Sequence, residues 1–152
     1  MMIPMGDLSR HFSLAEFTRS ETAIRLGDTN TPEPGHMRAL TALALGLEQV
    51  RAVLGGKPMT ITSGYRNPRV NAAVGGVPNS AHALGWAADF AVHGMTALAV
   101  AREVQASSLV FDQLIYEKSR NVVHISFDPR LRVEVKTQRG AAGTAVEWGI
   151  NP

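Results

Sequence analysis

The hydrophobic pattern of this 152-residue chain changes period at Gly55-Gly56, and that change limits the possible folds more than any other feature. Before the two glycines, apolar residues recur every three or four positions, which predicts a long helix over residues 35–54. After them, apolar residues alternate in short runs, which is typical of strands. Helices first and strands later indicate an α+β domain with a mainly antiparallel sheet on which the helices pack.

Shorter segments complete this predicted layout. A capping box over residues 13–16 predicts a helix that runs towards Arg25, and Thr96 is expected to cap a later helix over residues 97–106. Strands are predicted over residues 59–62, 86–92, 111–117, 122–127 and 131–137. We expect the third and fourth of these to form a hairpin. The last alternates apolar and charged residues, which indicates an edge strand with one face in water.

Length and composition limit the class of protein. We expect one domain with a single core over residues 1–137, followed by a loose C-terminal tail over residues 138–152. A net charge of only +2 and an aromatic content of 6% disfavour a binder of nucleic acid. No run approaches the roughly 18 apolar residues of a membrane span. Because the N-terminus also lacks the apolar run of a signal peptide, we expect the protein to be made in the cytoplasm. We also expect it to be a monomer.

Histidine and aspartate residues suggest the chemistry, because the absence of cysteine excludes thiol nucleophiles and cysteine-ligated zinc. His82 precedes Asp89 across a change from loop to strand, and His124 lies in the middle of a predicted strand. Two imidazoles and one carboxylate are a common ligand set for catalytic zinc, with a fourth position left for water. On spacing alone, a surface role for His82 is the alternative. His93 is expected to be exposed, because Gly94 ends its strand.

A ten-residue motif connects these residues to a known family. Residues 80–89 match the signature S-x-H-x-x-G-x-A-x-D at all five fixed positions, and further matches lie between residues 111 and 126. The segments FSLAEF at 12–17 and TSGYR at 62–66 add to the likeness. In these features the chain resembles the zinc D-Ala-D-Ala carboxypeptidase/endopeptidase superfamily, peptidase family M15, and in particular its phage-associated and bacterial branch. The resemblance covers roughly residues 10–130.

The resemblance implies a single domain of the hedgehog/DD-peptidase fold and hydrolysis of amide bonds in the peptide stems of peptidoglycan. It also implies a zinc ion (Zn²⁺) on His82, Asp89 and His124, which would lower the pKa of a bound water and polarise the scissile carbonyl. Arg66 would stabilise the developing oxyanion or bind the substrate carbonyl, with a solvated surface charge as the alternative. Ser80 would bind the substrate or orient its loop.

The general base is where the chain departs from the family. Many relatives carry an acidic residue three positions before the final zinc histidine, where this chain has Asn121. Glu117 is expected to supply the base, because the hairpin brings the end of its strand back near His124. Two alternatives stay open. Glu117 is only a hairpin-end charge paired with Lys118 or Arg120, or the chain has lost its base and keeps zinc for structure or binding.

These features favour a zinc peptidase that cleaves peptidoglycan, of the kind that a phage or prophage releases to the cell wall at lysis or carries in its virion. Endopeptidase and carboxypeptidase activity both fit, and the resemblance favours the endopeptidase. The alternative from another class is a non-catalytic, metal-stabilised binding or structural module, a use that hedgehog signalling domains make of a similar fold. The distance of Glu117 from the metal ligands distinguishes the two hypotheses.

Overall fold

The computed structural model describes residues 6–141 and 143–152 of the chain. Its helices are α1 (Leu14–Thr18), α2 (Glu21–Leu26), α3 (Pro34–Val53), α4 (Pro68–Ala73), α5 (Ala81–Leu84) and α6 (Ala97–Ala106). Its strands are β1 (Met59–Ser63), β2 (Ala87–Val92), β3 (Gln113–Glu117), β4 (Val122–Ser126), β5 (Glu134–Gln138) and β6 (Val146–Trp148). A 3₁₀ turn, Lys118–Arg120, joins β3 to β4. Within the described residues, no helix is both long and apolar enough to cross a membrane.

The six strands form one sheet in the order β1-β2-β4-β3-β5-β6. Neighbouring strands are antiparallel except for β3 and β5, which run parallel. This arrangement confirms the predicted α+β class with a mainly antiparallel sheet, and the predicted hairpin is β3–β4. Strands β2 and β4 each have a neighbour on both sides, so their backbones are held within the sheet.

One face of the sheet forms the core together with α3 and α6. Alternate strand residues point into it and are fully buried, and both helices add apolar side chains; the set includes Phe90, Leu114, Val123, Ile125, Leu40, Leu43, Leu47, Val100 and Val104. Helix α3 comes close to Phe127 at Gly46, where a Cβ atom would lie 2.5 Å from the aromatic ring. Because the core uses alternate strand positions, the positions between them face the other side of the sheet.

The first predicted helix is divided into α1 and α2. Arg19 and Ser20, which separate them, are both extended. The hydroxyl of Ser20 accepts a hydrogen bond from the N–H of Ala23 at 3.1 Å and so caps α2. A capping side chain competes with continuation of the helix through its own position. The predicted single helix towards Arg25 therefore breaks at Ser20.

The C-terminal region differs most from the sequence prediction. Residues 131–137 are predicted as an edge strand and 138–152 as a loose tail, whereas β5 lies inside the sheet and β6 pairs with its outer edge. Thr137 is fully buried, and its hydroxyl donates to the carbonyl oxygen of Gly149 at 2.7 Å and accepts from the N–H of Asn151 at 2.9 Å. These hydrogen bonds attach the end of the chain to β5. We call β5 and β6 the C-terminal hairpin.

Candidate metal centre

The three predicted ligands come from two adjacent strands and a short helix. Asp89 on β2 and His124 on β4 are directly opposite each other in an antiparallel pair, so their side chains lie on the same face of the sheet. His82 lies in α5, which packs against β2. Gly85 ends α5 with a φ of 86°, a conformation that favours glycine and turns the chain into β2.

Potential ligand atoms of these three buried residues lie within 4.8 Å of one another. Oδ1 of Asp89 is 3.0 Å from Nδ1 of His124 and 3.3 Å from Nε2 of His82. Nδ1 of His82 lies 2.8 Å from the carbonyl oxygen of Gly64. Donation to that carbonyl selects the tautomer in which Nε2 can bind a metal. Two imidazole nitrogens and one carboxylate oxygen suit a divalent ion such as zinc.

The surroundings of these residues favour the protonation states that bind a metal. Burial lowers the pKa of His82, so its imidazole is neutral at neutral pH. Burial alone would raise the pKa of Asp89, but its interactions with His82 and His124 outweigh that effect and hold the pKa well below its usual range. A neutral imidazole and an ionised carboxylate are the forms that coordinate a cation.

A second carboxylate, Glu117, lines the same cleft at the end of β3. Only 5% of Glu117 is exposed, and burial together with the charge of Asp89 raises its pKa to about 7. Nη2 of Arg120 lies 2.6 Å from Oε2 of Glu117, and Nη1 of Arg120 lies 3.7 Å from Oδ2 of Asp89. The first contact is a close ion pair without the alignment of a hydrogen bond. Arg120 therefore links Glu117 electrostatically to Asp89, one of the predicted metal ligands.

From the sequence, Arg120 is expected only as a surface partner of Glu117. Its contact with Asp89 is seen only in the structure. The reason lies in the next residue, Asn121, which adopts a left-handed conformation with a φ of 51°. Its side-chain oxygen accepts a hydrogen bond from the N–H of Ala97 at 3.2 Å, at the start of α6. Asn121 is not among the residues that line the cleft. Asn121 therefore fixes the conformation of the turn that carries Arg120, and its own side chain lies outside the cleft.

Arg66 and Ser80 also line the cleft, with different surroundings. Nε of Arg66 is buried and has no hydrogen-bond partner among residues 6–141 and 143–152, and burial lowers the pKa of this guanidinium. The Arg66 donor is therefore available to a substrate oxygen. The Ser80 hydroxyl accepts from the N–H of Ala83 at 3.2 Å and donates to Oδ1 of Asn71 at 3.1 Å. Of the two roles predicted for Ser80, these contacts support orientation of α5, the helix that carries His82.

The cleft that contains these residues has a volume of about 360 Å³. A second cavity of about 490 Å³ adjoins it and shares three lining residues with it, Arg66, Val74 and Arg120. The side chains of Arg66 and Arg120 therefore lie between the cleft and the second cavity. His93, as predicted, is exposed, and it lines neither cavity.

Comparison with known proteins agrees with this geometry. The family model described as Peptidase M15 matches residues 10–126, well over half of the chain. The matched range contains His82, Asp89 and His124 as well as Arg66 and Glu117. A search of curated proteins found no significant match. The family match confirms the resemblance seen in the sequence motifs. The chain therefore belongs to the peptidase M15 family, whose members are metal-dependent peptidases.

Proposed function

We propose that this protein is a zinc-dependent peptidase that hydrolyses amide bonds in the peptide stems of peptidoglycan. Membership of the family supports peptidase chemistry. The observation that carries the proposal is the buried carboxylate of Glu117, with a pKa raised to about 7, beside the group formed by His82, Asp89 and His124. A buried carboxylate in the same cleft as a metal-binding group is the arrangement that a general base requires, although Glu117 is also ion-paired with Arg120.

The residues of the cleft divide the chemistry among them. At His82, Asp89 and His124, the chemistry that zinc supplies when bound is polarisation of the scissile carbonyl and of a water molecule. Glu117, which lines the same cleft, would accept a proton from that water and deliver it to the leaving amine. Arg66 would donate a hydrogen bond from Nε to the oxyanion that develops on the carbonyl.

The shape of the site supports an endopeptidase. A second cavity adjoins the cleft at Arg66 and Arg120, so a peptide that passed between these side chains would have room on both sides of the bond that is cleaved. A carboxypeptidase would instead require the cleft to close around a terminal carboxylate. We further propose that the protein is a monomer and that it acts on the cell wall after phage or prophage lysis, or as part of a virion; its sequence motifs resemble the phage-associated branch of the family.

Metal analysis combined with wall hydrolysis tests the proposal. The purified protein is assayed for bound metal, then incubated with purified peptidoglycan before chelation, after chelation and after zinc is restored. We expect about one zinc ion per chain and cleavage that stops on chelation and returns with zinc. Mass spectrometry of the released fragments identifies the bond. Stoichiometric zinc without cleavage of any type of peptidoglycan would contradict the proposal and indicate a non-catalytic module.

A further inference from the structure

The register of the sheet places two residues of the C-terminal hairpin in line with the metal ligands. Asp89 pairs with His124, His124 with Ile115, Ile115 with Lys136, and Lys136 with Trp148. Directly paired residues on neighbouring strands point to the same face of a sheet. Lys136 and Trp148 therefore lie on the face that carries the site, and they lie outside the range matched by the family model.

Trp148 presents an open aromatic surface on this face. The residue is 68% exposed, which is unusual for a large aromatic side chain on a paired strand. Nζ of Lys136 lies 4.7 Å from the centre of the ring and so covers one side of it. Val146, two positions earlier on the same face, is also exposed. The other side of the indole is therefore free to contact a flat, partly apolar ligand.

The hairpin that carries Trp148 is joined to the cleft. Gln138 at the end of β5 lines the cleft, as does Gly143. The hydroxyl of Ser119, in the 3₁₀ turn, donates to the carbonyl oxygen of Gly140 at 2.8 Å. The N–H of Gly149, directly after Trp148, donates to the carbonyl oxygen of Val135 at 2.8 Å. These contacts hold the tryptophan at a defined distance from the metal ligands.

That distance matches the dimensions of a stem peptide. His124 and Trp148 are separated by three strand spacings, or about 14 Å at about 4.8 Å per spacing. An extended peptide advances about 3.3 Å per residue and would cross this distance in about four residues. In peptidoglycan, the first stem residue is attached to a sugar. A stem whose fourth residue lies at the metal ligands would therefore bring that sugar to Trp148.

We infer that Trp148, backed by Lys136, binds a sugar ring of the glycan strand while the attached stem peptide extends to the metal centre. The apolar face of a sugar ring can stack on the free side of the indole, while the Lys136 ammonium covers the opposite side of the ring. This inference rests on the proposed function and adds to it the part of the substrate that the outer subsite recognises. It implies cleavage on the carboxyl side of the fourth stem residue.

The inference is tested with two matched substrates. One is a cross-linked tetrapeptide dimer that carries its disaccharides, and the other is the same peptide after its sugars are removed. We expect Trp148→Ala to raise KM for the sugar-bearing substrate by about two- to tenfold and to leave its kcat unchanged. KM for the sugar-free peptide should stay the same. Trp148→Phe should restore much of the preference, and Val110→Ala, at an exposed apolar residue outside the site, is the control.

The outcomes separate the subsite from the proposed function. Equal KM changes on both substrates, or none, would overturn the sugar subsite while the peptidase remained established. A wild-type enzyme that cleaves neither substrate would contradict the function itself. Co-sedimentation with intact peptidoglycan then tests the subsite alone, and a Trp148→Ala variant that sediments like the wild type overturns it. If Trp148→Ala changes the size of the protein on gel filtration, the face is an interface between two copies and the inference is wrong.

Discussion

Glu117 is a buried carboxylate, so its substitution tests whether it acts as the general base. Glu117→Gln keeps the shape of the side chain but cannot accept a proton. We expect the variant to bind zinc like the wild type and to lose about 10²–10⁴-fold in kcat. Metal analysis and peptidoglycan hydrolysis are measured on the same preparation. Glu103→Gln, which neutralises an exposed carboxylate on α6, is the control. Normal turnover by Glu117→Gln would show that another residue is the base.

The pKa of Glu117 also predicts how stability depends on pH in the metal-depleted protein. Its folded-state pKa is about 7 against an ordinary value of 4.5, so between these values the folded state binds more protons than the unfolded state. The contribution of Glu117 to the free energy of unfolding therefore falls as pH rises through this range. Glutamine does not titrate, so Glu117→Gln removes this decrease in the free energy of unfolding with rising pH. Relative to the wild type, the variant should gain at most about 3 kcal/mol by pH 7.

Urea unfolding of both proteins between about pH 5 and 8 measures this difference. Metal must be absent, because a bound cation would itself lower the pKa of a nearby carboxylate. A stability difference that does not change with pH would contradict the raised pKa.

Arg120 is expected to set the pH dependence of catalysis. Burial raises the pKa of Glu117, and the positive charge of Arg120 opposes that rise. Arg120→Gln should therefore move the acidic limb of the kcat/KM profile to higher pH, and Arg120→Lys should move it less. Arg102→Gln, at an exposed position on α6, is the matched control. Loss of rate at every pH without a shift of the profile would mean that Arg120 contacts the substrate instead.

The sequence motif singles out His82, Asp89 and His124, and the structure brings these three residues together in a group that could hold a metal. The contact between Arg120 and Asp89 could not be predicted in the same way. It depends on the left-handed backbone of Asn121 and on the hydrogen bond from Ala97 to the Asn121 side chain, which joins a turn to a distant helix. A tertiary contact of this kind leaves no local pattern.

At the scale of elements, Gly64 connects the end of β1 to both α1 and the metal centre. A Cβ atom at Gly64 would lie 2.8 Å from Cα of Phe17, and the Gly64 carbonyl accepts from His82. Gly64→Ala must therefore move backbone. We expect a loss of about 1–3 kcal/mol in stability and about 10–100-fold in zinc affinity. Gly35→Ala, in the first turn of α3 with open space around it, should change neither.

Thermal unfolding and competition with a zinc-binding dye measure the two effects of Gly64→Ala separately. Loss of stability with unchanged zinc affinity would show that the carbonyl of Gly64 does not help to orient His82.

Most elements follow from the period of their apolar residues, and helix α6 agrees with its predicted range of 97–106. The C-terminal hairpin does not follow from such a pattern. Strand β6 has only three residues, all of them exposed, so it shows no alternation. The strand pairs with β5 through three residue pairs, and the Thr137 hydroxyl adds hydrogen bonds with Gly149 and Asn151 just beyond it. Hydrogen bonds between a buried threonine hydroxyl and residues 12 to 14 positions later leave no local pattern, so the sequence alone does not predict them.

For the whole molecule, a metal ion at the site would join α5, β2 and β4. A ligand that binds only the folded state raises stability by about 4 kcal/mol when its free concentration is about 1,000 times Kd. We expect chelation to lower the Tm of the wild type and zinc to restore it. His82→Ala should show no response to either treatment, as measured by calorimetry. A Tm that is insensitive to chelation in a zinc-loaded wild type would mean that the metal does not stabilise the fold.

One face of the sheet determines the stability of the fold, and the other face carries the residues around the candidate site. Along β3 and β5, residues such as Leu114 face the core, and residues such as Gln113, Ile115 and Lys136 face the site. Substitution of residues that face the site can alter substrate binding without creating a cavity among the residues that face the core. Substitutions that change substrate preference, in evolution or in a designed library, can therefore be confined to one row of side chains while the core stays unchanged.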